Sequence, residues 1–438
     1  MTAKSKGGSR NDPSSLRVPT VSRLAGDTII ELVYDAKARE TALAVSRFNG
    51  LWNLEQEVRI ESGEVLVPYT AANTIIASDC VLLPSMPEHH GSKSELLADI
   101  RAYLHRYVDL NPIFLEIAAH YALLSWVYDA FNECPYLRLQ GDFGTGKTRA
   151  LITIGSILYK PVFASGASTV SPIFHILDVF GGSLVLDEAD FRFSDAANQL
   201  VKILNNGTMR GLPVLRTMQN RDREFNPRAF KVFGPKIVAM RGSYDDDALE
   251  SRFLSEDMTA RTLRDDIPVH LPSALRAEAL SLRNRLLHFR FSSLFSMAID
   301  PMAASPGATA RINQITLPLL SLVDDLETKH AIQQVATKQA AAIPRFGDLQ
   351  MTEIIFRALR TAFADANRST VSVGEITREV NGNPSVEFPY TTKQIGHLIR
   401  RRIGIETRKS NGVYVVRRDA VARLAPAQTE DAQRMPRE

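Results

Sequence analysis

Eight consecutive residues, Gly141-Asp142-Phe143-Gly144-Thr145-Gly146-Lys147-Thr148, constrain this chain more than any other stretch. A glycine, four free positions and then Gly-Lys-Thr is the spelling of a loop that wraps phosphate. Glycines let the backbone turn tightly enough for its N–H groups to point inward at phosphate oxygens. A following helix adds the positive end of its dipole to the same place. Lys147 would reach the β- and γ-phosphates and the Thr148 hydroxyl would ligate Mg²⁺. The setting agrees. Pro135 to Gln140 reads as a short strand and Arg149 to Leu158 as a helix, the strand–loop–helix order that the motif requires.

A second motif follows. Ser183-Leu184-Val185-Leu186-Asp187-Glu188-Ala189-Asp190 reads as a buried strand whose acidic end faces the nucleotide. Asp187 would hold Mg²⁺ and Glu188 would polarise the attacking water. Strands at Pro161–Ser165, Lys236–Met240 and Phe253–Met258, with helices between, complete the pattern of a doubly wound parallel sheet. Arg241 and Ser243 stand at the end of the fourth of these strands, where a γ-phosphate sensor would sit. Asn or Thr is commoner there.

The rest of the chain frames this core. At 438 residues it should hold two or three domains. Net charge is only +3, so any nucleic-acid signal must be local. Cys80 and Cys134 form neither a metal spacing nor a disulfide framework, which fits a reducing cytoplasm. The polar start has no apolar segment of signal or anchor type, and residues 1–22 are expected to be a disordered tail. Short apolar runs over residues 23–90 predict a small β-rich module. Ser92 to Tyr107 reads as a helix, and Asn111 caps a second that runs to about Phe131. That apolar stretch carries Glu116, His120 and Asp129, the pattern of a buried helix and not of a membrane span. The core with its leading helices is assigned to residues 91–265. Ala274–Phe289 and Thr309–Leu326 supply a helical lid, and with a linker this region spans 266–345. Arg311 is its candidate phosphate-sensing arginine, or a structural salt-bridge former.

Two regions could meet DNA. The first is a hairpin from Leu212–Met218 and Ala229–Phe233 around a polar turn, carrying Arg210, Arg216, Arg221, Arg223, Arg228 and Lys231. It reads equally as a DNA-facing element and as a solvated loop, because Asp222 and Glu224 are interleaved. The second covers residues 346–424. Three helices followed by a hairpin of Ile405–Lys409 and Val413–Arg417 are the layout of a winged helix-turn-helix. Lys393 lies at the start of the third helix, and Arg400, Arg401, Arg402, Arg408 and Lys409 supply local positive charge. DNA binding and protein docking are both compatible with this pattern. Residues 425–438 read as a second disordered tail.

A family likeness rests on several of these residues. They are Pro135-Tyr136-Leu137 with the loop, Leu186 to Asp190, Leu204-Asn205-Asn206-Gly207 with Arg210-Gly211, Phe233-Gly234-Pro235-Lys236, and Asp247 to Arg252. The stretch from Ser92 to Leu320 resembles AAA+ helicase-like ATPases of phages, plasmids and chromosomal islands, and the MCM-like helicases of staphylococcal cassette elements. The resemblance implies an α/β fold, an AAA+ P-loop core with parallel sheet and helices on both sides, a helical lid and a C-terminal winged helix, to which the strand pattern adds the small β-rich N-terminal module. It implies ATP and Mg²⁺ as cofactors, single-stranded or forked DNA as partner, and a homo-oligomeric, usually hexameric ring that moves along DNA in mobile-element replication. It makes Arg252 an arginine finger at a subunit edge, against a helix-end salt bridge, and makes Arg210 to Lys231 a pore hairpin. The chain departs from the family at Arg241 and has no primase or zinc module. An ATP-switched DNA-binding regulator or loader is the rival expectation.

Overall fold

The computed structural model describes residues 16–48, 50–165, 169–187, 189, 195–219, 225–244, 246–259, 264–341, 349–365, 367–384, 386, 389–401, 403–410 and 412–422. The chain divides into two compact units, Met1–Ser243 with Arg252–Ala336, and Tyr244–Ser251 with Thr337–Glu438.

The first unit opens with β1 (Arg17–Thr20), β2 (Ser22–Ala25), β3 (Thr28–Asp35), β4 (Glu40–Phe48), β5 (Leu51–Glu55), β6 (Val58–Arg59) and β7 (Val65–Pro68). They form two sheets, ordered β1-β7-β6 and β2-β3-β4-β5. Arg17–Thr20 and Ser22, expected to belong to a disordered tail, are in strands, and residues 1–15 lie outside the described residues. Arg17–Thr20 pairs in parallel with Val65–Pro68, and Pro19 is tolerated because this strand sits at a sheet edge.

After α1 (Thr74–Ala77) come α2 (Lys93–Tyr107) and α3 (Pro112–Val127). Ser92 and Glu95 close a capping box on α2, and Asn111 caps α3 through the N–H of Ile113. Among the described residues no helix is long and apolar enough to cross a membrane.

Then follow β8 (Tyr136–Gln140), α4 (Lys147–Gly155), β9 (Val162–Ser165), α5 (Val170–Phe180), β10 (Leu184–Asp187), α6 (Asp195–Asn206), β11 (Val214–Gln219), β12 (Phe225–Phe230) and β13 (Lys236–Met240). Beyond α7 (Asp247–Glu250) lies β14 (Phe253–Asp257). Five of these strands make one sheet in the order β14-β8-β13-β10-β9. Every neighbouring pair in it is parallel. Gly155 lets α4 lie close on the sheet, since a Cβ there would meet Val185 Cγ1 at 2.9 Å. The segment around Val81 pairs antiparallel with Val162 and covers the outer edge of β9.

The N-terminal strands are fused to this core. Val21, Ile30, Leu32, Leu43 and Val45 share one apolar cluster with Val162 and Phe180. A sealed ionic hub joins the same parts. Glu31 of β3 accepts from Lys160 Nζ at 2.7 Å, Arg290 Nε at 2.8 Å and the Tyr159 hydroxyl at 2.7 Å. Arg290 also donates twice to the Asp129 carboxylate, at 2.6 Å each. Burial would raise the Glu31 and Asp129 carboxyls, but the adjacent cations outweigh it and hold both below the ordinary range. Burial lowers the Lys160 ammonium despite Glu31.

Arg290 lies on α8 (Ala274–Ser293), which is followed by α9 (Ala310–Leu320) and α10 (Leu326–Ala341). The helix expected over Thr309–Leu326 thus stops at Leu320. Asp325 caps a new helix by accepting from Thr328 N–H at 2.7 Å.

The second unit contains α11 (Leu349–Ala362), β15 (Thr370–Ser372), α12 (Val373–Asn381), α13 (Thr392–Arg401), β16 (Thr407–Ser410), β17 (Val413–Arg417) and α14 (Arg418–Ala422). Its strands form an antiparallel sheet ordered β15-β17-β16. Ile355, Leu359, Ile376, Val380, Ile395, Ile399 and Val416 make its separate apolar core.

Candidate nucleotide site

The phosphate loop leaves the C-terminal end of β8, with Gly141 N–H donating to the Met240 carbonyl at 3.3 Å. Gly144 and Gly146 take left-handed φ values of 81° and 85°. Only glycine adopts these without strain, and two such turns curl the loop ahead of the helix. Gly146 is also the N-cap of α4, so Lys147 and Thr148 begin the helix. A Cβ at Gly141 would come within 2.9 Å of Thr145 Oγ1, so a larger residue there would force the Thr145 side chain to move. Lys147 Nζ donates to the Asp142 carbonyl, and Thr145 Oγ1 donates to the same oxygen at 3.0 Å. Both side chains thus fold back along the loop. Asp142, Phe143, Gly144 and Thr148 are exposed.

Asp187 ends β10 and is half-buried. β13 lies between β10 and the loop strand, so Asp187 is two strands away from β8, roughly 10 Å across the sheet. Both strands end on the same side. Met240 pairs with Gln140, and Ala189 N–H donates to the Ala239 carbonyl at 3.0 Å. The loop, Asp187 and Arg241 therefore share the carboxyl edge of the sheet, where ligands of open α/β sheets bind. Glu188 lies outside the described residues.

The remaining candidates are held differently. Arg252 Nη1 donates to Asn205 Oδ1 at 2.6 Å and its Nε to Thr208 Oγ1 at 3.2 Å, so the guanidinium is engaged within its own chain. Arg311 is exposed in the first turn of α9. β11 and β12 form a hairpin, paired from Val214↔Phe230 to Gln219↔Phe225, so its second strand runs Phe225–Phe230 and not Ala229–Phe233 as expected. Arg221 and Arg223 lie outside the described residues. Arg216 stacks 4.6 Å from the Phe174 ring centroid and donates to Gln199. Arg210 lies over Phe233 and donates to the Asp129 carbonyl. Arg228 pairs with Asp178 at 2.9 Å.

Sequence reasoning gave no role to Lys236, yet it clasps the base of this hairpin. Its Nζ donates to the carbonyls of Gly207 at 3.3 Å, Val232 at 2.7 Å and Gly234 at 2.9 Å. Burial pushes its ammonium down to about 7. A Cβ at Gly207 would lie 2.3 Å from that Nζ. The Asn-Gly and Phe-Gly-Pro-Lys spellings therefore describe one knot, and the glycines in them were its only sequence signal.

In the second unit Lys393, Arg400, Arg408 and Lys409 are exposed. Arg400 donates to Thr407 at 2.8 Å and lies 5.9 Å from the Tyr414 ring centroid, joining α13 to the hairpin. Gln394 is turned inward to box the cap with Thr391. The Arg401 side chain lies outside the described residues. Among the described residues no group of three or more His, Cys, Asp or Glu could hold a metal ion.

No protein-family model matches the sequence, and no curated protein matches it. The structure has matches among solved ones. An apo structure of the NrS-1 C terminal region is 10% identical, with 88% of this chain and 95% of that one covered and a TM-score of 0.34. A full-length MCM homolog from Methanopyrus kandleri is 11% identical, with 73% and 76% covered and a TM-score of 0.37. JCV Helicase is 16% identical, with 60% and 64% covered and a TM-score of 0.24. At these values the function of this chain has to be argued from its own site.

Proposed function

We propose that this chain is an ATP-hydrolysing DNA translocase or helicase that works as a ring in the replication of a mobile genetic element. The observation that carries the ATPase part is the convergence at one sheet edge of the Gly141–Thr148 loop, with its two left-handed glycines, and Asp187. The donor set fits ATP with Mg²⁺. Loop N–H groups and Lys147 would bind the phosphates, and Thr148 and Asp187 would hold the cation. Bound Mg²⁺ would neutralise charge on the phosphate oxygens. Lys147 would leave the Asp142 carbonyl for them, and Glu188 would orient water.

The DNA part is supported by the second unit. Its helices and antiparallel strands read as a winged helix, with Lys393 on the helix that would enter the major groove and Arg408 and Lys409 on a hairpin that would meet phosphates. The deciding experiment measures ATP turnover of the full chain with and without single-stranded DNA, then strand separation on a forked duplex. DNA-stimulated turnover with unwinding supports a helicase. Turnover without strand separation leaves a translocase, and no turnover removes the motor.

One observation favours the rival, an ATP-switched DNA-binding regulator or loader. Arg228 is ion-paired with Asp178, and Arg210 and Arg216 are held on rings and neutral acceptors of the chain, which ties down basic side chains that a DNA-facing hairpin would present. Sequence-specific footprinting without DNA-stimulated turnover would select it.

A further inference from the structure

Among the described residues of the second unit, the large apolar side chains that stay exposed are Val413 and Tyr414, at 52% and 54%, and they are adjacent. Both open β17 at the turn of the hairpin, where Val413 pairs with Ser410 and Tyr414 with Lys409. Side chains alternate along a strand, so Tyr414 shares a sheet face with the buried Val416 and lies one step outward from the core. Arg400 of α13 backs the ring. Its guanidinium carbon lies 5.9 Å from the ring centroid, within range of a cation–π contact, and its Nη1 donates to Thr407 Oγ1 at 2.8 Å, which ties the cation to β16. Arg408 and Lys409 are exposed on the neighbouring strand. Of the acids closest in sequence, Glu406 is exposed and Asp419 is paired with Arg417.

We propose that Tyr414 is a base-stacking residue that takes the first unpaired base beside a duplex, and that Arg400 is its positioning residue. This rests on the DNA reading of the second unit above and names the part of the DNA that its hairpin takes. A hairpin that met only phosphates would need charge at its tip and would gain nothing from an apolar pair there. A ring with lysine and arginine beside it matches a base next to its own phosphate, the ring taking the face of the base and the cations the charge. In an intact duplex each base face is covered by its neighbours. The face is offered only where pairing stops, at a fork, an end or a single strand. Arg408 and Lys409 would hold the flanking phosphates, and Val413 would cover the edge of the stacked base. Every base has such a face, so the contact is indifferent to sequence. Arg400 restricts the ring from behind before DNA arrives, because its own end is anchored on Thr407.

The test measures equilibrium binding of the full chain and its variants to a forked duplex and to a blunt duplex of the same paired sequence. One readout is the ratio of the two Kd values. The other is photo-cross-linking to an iodouracil placed at the first unpaired position of the fork, with the attached peptide mapped by mass spectrometry. Wild type should prefer the fork and cross-link at Tyr414. Tyr414→Ala should lower that preference by about tenfold, the order of one lost base stack, and abolish the cross-link. It should leave the salt slope unchanged, because no charge is removed. Tyr414→Phe should keep the preference. Arg400→Ala should lower it by roughly threefold, the worth of an exposed cation–π contact, and should add nothing to Tyr414→Ala, because the arginine acts through the ring. Lys409→Ala should weaken both DNAs alike. An unchanged ratio in Tyr414→Ala overturns the proposal. So does an equal loss on both DNAs, or a wild type that binds fork and blunt duplex equally well. Wild-type protein that binds neither DNA, with Lys409→Ala indistinguishable from it, would defeat the DNA reading itself and this proposal with it.

Discussion

The phosphate loop and the ionic hub are built from the same kinds of side chain and do opposite things. Lys147, on a loop shaped by glycines, and Asp187, at the end of β10, stand at the same open sheet edge. Lys160, Glu31, Arg290 and Asp129 are joined by short ion pairs, and of the four only Asp129 keeps appreciable side-chain exposure, at 20%. In the hub every charge has found its counter-charge inside the chain, and what it holds together is the N-terminal sheet, α3's end and α8. At the loop the Lys147 ammonium donates to the neutral carbonyl oxygen of Asp142, on a half-exposed side chain at the sheet edge. Burial and pairing, not residue type, separate a structural lysine from a binding one.

Substitutions can break this contrast. Lys147→Ala should reduce ATP turnover by two orders of magnitude or more, on the order of the loss of a key transition-state charge, while leaving the melting temperature unchanged. Equal loss of stability and activity would mean that the loop lysine is structural. Glu31→Ala should do the reverse, lowering unfolding free energy in denaturant titrations by about 3–5 kcal/mol, because it strands Lys160 and Arg290 without a shared carboxylate. Lys236→Met should cost about 1–3 kcal/mol by leaving the Gly207, Val232 and Gly234 carbonyls short of a donor, and a loss of DNA stimulation beyond that would tie the knot to the hairpin's work.

A smaller effect sharpens the comparison through pH. His90 donates to or accepts from His288 through their Nδ1 atoms at 2.7 Å, with His89 and Arg285 also facing it. Burial, then His288, His89 and Arg285, push its imidazole down to about 4 from an ordinary 6.5. The fold therefore binds its neutral form. That stability is complete above pH 6.5 and declines as pH falls from there toward 4. Thermal melts across this window should fall less steeply for His90→Gln than for wild type, and parallel curves would discard the cluster as a titrating element. Smallest of all, Lys409→Ala should reduce the slope of log DNA affinity against log salt by about 1. An unchanged slope would turn the second unit toward protein docking.

The sequence made the loop legible because its chemistry dictates spacing: glycines for left-handed turns, then lysine and threonine in the first helical turn. Asp187 was legible because a short apolar run ending in acid has few other uses. The hub was not legible, since Glu31, Asp129, Lys160 and Arg290 are distant in the chain and each looks like an ordinary surface charge until burial is known. Nor was the strand order, which places β13 between the two motifs and depends on packing and not on local pattern. Short edge strands such as Arg17–Thr20, Leu51–Glu55 and Thr370–Ser372 carry too few residues for a period to register. The break between α9 and α10 contains neither Gly nor Pro, and its marks in the sequence are Pro318 in the last turn of α9 and the Asp325 cap.

The antiparallel bridge of Val81 to Val162 has a practical corollary. Trimming the chain to its parallel-sheet core would unveil the rim of β9, a row of bare amides ready to recruit any passing extended peptide. Shortened versions beginning after residue 83 should clump on concentration, whereas those retaining Cys80 to Leu83 keep that rim shielded.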